Sequence, residues 1–231
     1  MSPQFNLEEI DVDGALRETA AEAHEALEGD TRLRFLTKAG ALGGATLSGG
    51  ALLSAFAPSA FAAGSRPPSA TFGTGDVAIL RYALTLEYLE SAFYNEATAS
   101  GAITDPQTKL FLTTTTRDEN QHVKALKAAL GSKAIKSPKF DFLGTTSSES
   151  LFQKTAYTLE NTGVHAYLGQ APNIKSPKVL LTAASIVTVE ARHAGSIGTI
   201  LQSIIAPGPF DSGLPASAVL AAVKSTGFIT G

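Results

Sequence analysis

Cysteine is absent from this 231-residue chain. Without thiols there is no disulfide, no thiolate metal site and no cysteine nucleophile, so any metal must be held by oxygen and nitrogen. Clusters of lysine and arginine interleaved with aromatics are also missing. At a formal net charge of −3, nothing in the chain invites a nucleic-acid backbone. Long hydrophobic runs are scarce. The most apolar stretch, residues 39–57, is broken by glycine and serine and makes a poor membrane span, which needs about 20 predominantly apolar residues. Alternating strand patterns are lacking too. What is present is 44% hydrophobic and 17% charged residues, a globular balance sized for one domain plus a leader or tail. The abundance of Ala, Gly, Ser and Thr predicts a core rich in small side chains.

The charge is unevenly spread. Residues 1–30 carry nine acids against the single base Arg17, whereas the remainder has twelve acids and seventeen bases. After the acidic stretch come Arg32, Arg34 and Lys38, the weakly apolar run, and then Ala60-Phe61-Ala62. A basic start, an apolar middle and a small-x-small end are the parts of an export signal, with cleavage expected before Ala63. The opening resembles a bacterial twin-arginine leader, with Leu33 standing where the second arginine of the usual pair would be. The expected destination is the periplasm, the cell envelope or the exterior, with membrane association only if the leader is retained. The domain reading is an acidic N-region and signal segment over 1–62, a linker over 63–75, a helical bundle over 76–206 and a C-terminal extension over 207–231.

Within the bundle segment, apolar residues recur at spacings of three and four. A first helix is predicted from Asp76, as N-cap, to Gly101, with Leu80, Leu86, Leu89 and Phe93 on its apolar positions. A second opens at Thr104-Asp105-Pro106 and runs through Leu110, Phe111 and Leu126 to Gly131. After a long connection over 132–147, a third starts near Ser147 or Ser148, takes in Leu151 and Phe152, and fades near Gly169. A fourth spans 179 to about 205, and one more short helix fits 215–224. Two helical hairpins joined by one long crossover form an all-α four-helix bundle.

Helices two and four each contain Glu-x-x-His, as Glu119-Asn120-Gln121-His122 and Glu190-Ala191-Arg192-His193. Residues three apart share a helix face, so each pair offers an oxygen and an imidazole nitrogen to one point inside a bundle. The partner helices match each other as well. Ala83-Leu84-Thr85-Leu86-Glu87 is followed by Tyr94, and Ala156-Tyr157-Thr158-Leu159-Glu160 by Tyr167. This is an internal repeat, and repetition sets the motif apart from an exposed Glu beside an incidental His. Glu87 and Glu160 sit among apolar residues, where an unpaired carboxylate is costly. Four carboxylates balance two divalent cations, and neutral histidines add no charge, so the whole cluster can be buried. The predicted arrangement has Glu119 and Glu190 bridging, Glu87 and His122 on one metal, and Glu160 and His193 on the other. Carboxylate oxygens with one imidazole per metal suit iron or manganese and leave zinc open.

The order Glu, Glu-x-x-His, Glu, Glu-x-x-His resembles the ferritin-like di-iron carboxylate superfamily. The surrounding residues, from Thr85 to Tyr94 and from Asp118 to Val123, resemble its exported bacterial and plant desiccation-related branch, over roughly 72–205. The resemblance implies a ferritin-like bundle with two iron ions, or manganese, a mixed pair or zinc. It also implies oxidoreductase chemistry on dioxygen or hydrogen peroxide, as a ferroxidase or in peroxide detoxification under stress. A non-catalytic structural, desiccation-protective or assembly role, with the metal site holding the bundle together, is the alternative, and a homo-oligomer fits either. Other residues are read more plainly. Glu90 lies one turn beyond Glu87 but has Gly163 as its repeat counterpart, so it is placed beside the ligands or at the surface. Tyr94 and Tyr167 fall two turns from their acids and are read as core. Asp118 could orient a histidine through its second ring nitrogen. His165 should miss the ligand face, and His24 belongs to the leader.

Overall fold

The computed structural model describes residues 67–203, 205–206 and 208–230. The predicted leader, with its cleavage point at Ala63, lies outside these residues. Five α-helices and no strand are found among them: α1 Gly75–Ser100, α2 Pro106–Leu130, α3 Glu149–Gln170, α4 Pro177–Ile200 and α5 Ala216–Ser225. The first four form two hairpins, α1 with α2 and α3 with α4, joined by the crossover between Leu130 and Glu149. No described helix is long and apolar enough to cross a membrane.

Local chemistry sets the helix ends. The Asp105 carboxylate accepts from Thr108 N at 2.8 Å, and Pro106 occupies the first turn, where its missing N–H costs nothing. The repeat partner of this start is Ser176-Pro177 at α4, where Ser176 Oγ accepts from Val179 N. Gly101, at φ 65°, supplies the left-handed residue that closes α1. Two predicted details are corrected. Asp76 does not cap its own helix. Its carboxylate accepts from Lys175 N at 2.9 Å and Ser176 N at 2.8 Å, bracing the loop that enters α4. α4 ends at Ile200 rather than near Ile205, because Leu201 and Gln202 form a turn with Gln202 at φ 53°.

The core is aromatic toward one end. Phe93 stacks on Phe152 at 5.4 Å and meets Tyr94 and Phe142 edge-on. Phe142 comes from the crossover, so burying it seats that segment on the bundle. The C-terminal extension holds it there. Asp141 N donates to Phe228 O, Thr230 N donates to Lys139 O, and Phe228 packs against Phe142. Phe111 and Leu86 are buried as predicted, and Phe72 lies at the edge of the same cluster. Leu110 and Leu151, counted with the apolar positions, are 69% and 47% exposed, because each falls on the outer side of its helix beside the buried Phe111 and Phe152.

Candidate metal centre

All six predicted ligands face the middle of the bundle. Glu87, Glu119, Glu160 and Glu190 are each 0% exposed, His122 is 8% and His193 is 5%. They form two overlapping quartets, Glu87–Glu119–His122–Glu190 and Glu119–Glu160–Glu190–His193, whose candidate ligand atoms lie within 4.8 Å of one another. Glu119 and Glu190 belong to both quartets.

Each histidine turns Nδ1 inward. His122 Nδ1 lies 3.1 Å from Glu119 Oε2, 3.1 Å from Glu190 Oε1 and 3.3 Å from Glu87 Oε2. His193 Nδ1 lies 3.2 Å from Glu119 Oε1 and 3.3 Å from Glu160 Oε2. Closeness here is convergence more than hydrogen bonding. Glu87 Oε2, Glu119 Oε1, Glu160 Oε2, both oxygens of Glu190 and His193 Nδ1 are buried without a well-aligned partner. Orphaned buried atoms of this kind are costly, and all of them can bind a cation. The donor set therefore fits two oxygen- and nitrogen-loving ions.

The electrostatics of the metal-free cluster agree with that fit. Burial, followed by the neighbouring Glu119 charge, pushes Glu87 up to about 8. Burial and the surrounding carboxylates hold Glu190 well above the usual range. Burial opposes a charge on His193, but the adjacent carboxylates of Glu119 and Glu160 outweigh it and push the ring up to about 11. His122 is raised for the same reason. Glu119 moves the other way. Burial works to raise it, but contacts with both imidazoles bring it down to about 2. Burial and mutual repulsion thus favour the protonated forms of Glu87 and Glu190, and the adjacent carboxylates favour protonation of both imidazoles, with Glu119 left as the carboxylate.

Three neighbours complete the site. Tyr167 Oη donates to Glu87 Oε1 at 2.5 Å, and Tyr94 Oη donates to Glu160 Oε1. The reading of these tyrosines as core holds, and their hydroxyls add a polar contact to it. Both are buried, but each reaches the acid of the opposite hairpin. Helical rise separates each ring from the acid on its own helix, while the opposed directions of α1 and α3 bring it level with the other. Asp118 Oδ2 lies 3.3 Å from His193 Nε2, and Arg117 Nη2 in turn pairs with Asp118 at 2.7 Å. The oriented histidine thus belongs to α4 and not to Asp118's own helix. Glu90 is also buried, at 3% exposure. Sequence reasoning undervalued it because its repeat counterpart has no side chain. His165 is half-buried and takes no part in either quartet, as expected from its angular position.

An antiparallel pair of helical hairpins around a buried carboxylate–histidine cluster defines a four-helix-bundle protein with a potential two-metal centre. The model of the ferritin-like domain family matches residues 75–203, and the chain belongs to that family. No curated protein matches it. Among solved structures, it is similar to a conserved hypothetical protein of Mycobacterium tuberculosis. The likeness is 17% in identity over 58% of this chain and 96% of that one, with a TM-score of 0.48.

Proposed function

We propose that the protein is a two-metal redox protein that reacts with dioxygen or hydrogen peroxide, as a ferroxidase or a peroxide-consuming enzyme. One observation carries the reading: two inward imidazoles and the unpartnered oxygens of four fully buried carboxylates converge in quartets that share Glu119 and Glu190. Redox-active ions held there would supply electron exchange with a small oxidant bound between them. The protein's own share is positional. Glu87 and His122 would hold one ion, Glu160 and His193 the other, and Glu119 and Glu190 would contribute to both. The hydroxyls of Tyr167 and Tyr94 fix the orientation of Glu87 and Glu160, and Asp118 steadies His193. The near-complete burial of the ligands favours reactants the size of dioxygen or peroxide over larger substrates.

The reading is tested by loading metal-free protein anaerobically with ferrous iron, counting bound ions, and then adding dioxygen or peroxide. The expected result is about two irons per chain and their rapid oxidation, with both lost in Glu119→Ala. A specific observation also supports the structural alternative, because the two tyrosines tie the hairpins together through the ligands themselves. Protein that holds two irons, melts at a higher temperature because of them, and leaves both oxidants untouched would establish that alternative and sink the enzyme reading.

A further inference from the structure

Glu90 has no place in the six-ligand arrangement, yet it is almost as deeply buried as the ligands. It sits three residues beyond Glu87 on α1, an advance of about 4.5 Å along the axis toward Tyr94. Tyr94 in turn touches Glu160. Glu90 therefore lies toward the Glu160–His193 half of the cluster.

Gly163 is the second, independent observation. It stands on α3 one turn beyond Glu160, at the repeat position equivalent to Glu90. A Cβ built there would come 3.1 Å from Glu190 Oε2 and 3.4 Å from Glu90 Oε1. The missing side chain is thus the room that these two carboxyls occupy. Burial first, and then the charges of Glu190, Glu119, Glu160 and Glu87, work against a charge on Glu90. A fifth buried carboxyl in such company calls for a cation partner.

We propose that Glu90 is a seventh protein ligand, belonging to the metal position framed by Glu160 and His193, so that the two positions are unequal. The inference rests on the two-metal reading above. It goes further by breaking the symmetry of the repeat, since Gly163 leaves the Glu87–His122 position without an equivalent acid.

The test is calorimetric titration of metal-free full-length protein with Mn2+, paired with Mössbauer spectra of protein loaded anaerobically with ferrous iron. Wild type should bind two ions in unequal steps and show two iron environments. Glu90→Gln should weaken one step by about tenfold or more, leave the other in place, and change one of the two iron signals. Glu90→Asp, which keeps the charge but shortens the reach, should show the same selective loss if the glutamine variant fails to fold. Two steps of wild-type affinity and unchanged spectra in a folded variant would overturn the seventh ligand while leaving the two-metal reading intact. Wild-type protein that binds no metal would overturn both.

Discussion

Glu190 presents a sharp conflict: it is fully buried with only His122 Nδ1, 3.1 Å from its Oε1, to oppose the burial and the charges of Glu119, Glu87 and Glu160 that push its carboxyl well above the usual range. Burial and the neighbouring acids thus favour its protonated form over the carboxylate. A carboxyl raised in this way weakens the folded state once the pH passes its unfolded value. Glu190→Gln keeps the shape and removes the titration. The variant should therefore melt higher than wild type without metal at pH 7, while losing the rise in melting temperature that metal gives wild type. A metal-free variant that melts lower in calorimetry would show that Glu190 is anchored by something other than its need for a cation. The six residues of the two quartets were legible because a spacing of three on a helix is a face and because the pattern occurs twice. Glu90 and the reach of the tyrosines were not, because they depend on which helix stands opposite, and periodicity along one helix holds no record of that.

At the level of elements, the C-terminal extension matters as much as the helices it touches. Leu214 N donates to His165 O, and the chain passes α3 so closely that a Cβ on Gly169 would lie 1.9 Å from Leu214 O. Backbone cannot yield as a flexible side chain does. Gly169→Ala should lift the segment around Leu214 from α3 and lower stability by about 2 kcal/mol or more, with faster proteolysis between residues 203 and 216 as the readout. Unchanged melting and unchanged cleavage would mean that this close approach contributes nothing. The helices themselves were readable in advance from Asp105-Pro106, Gly101 and Gly131, whose chemistry is local. The docking of the extension was not, since its determinants are Gly169 and the carbonyl of Leu214, about 45 positions apart. Asp76 was misassigned for the same reason: the N–H groups it satisfies are about a hundred residues away.

For the molecule as a whole, the raised groups give the stability of metal-free protein a direction with pH that bound metal should change. Glu87, raised from 4.5 to about 8, contributes stability below the unfolded value that is lost as pH rises through that interval. His193, raised from 6.5 to about 11, adds a loss of the same sign from pH 6.5 upward. Glu119, lowered to about 2, acts only at the acid end, where stability falls as pH drops below 4.5. Metal-free protein should therefore lose melting temperature between pH 5 and 8, by roughly 2–4 °C per kcal/mol for a domain of this size. Metal must displace those protons, so its affinity and the stabilisation it confers should grow over the same interval. Melting curves with and without Mn2+ would check this, and parallel trends would contradict it. The pairing of Glu90 with Gly163 has one more implication. A homodimer of identical hairpins would have to carry the same residue at both places, either two opposed acids or none. Joining the hairpins covalently in one polypeptide lifts that constraint, so the linked chain can differentiate two sites that self-association would keep alike.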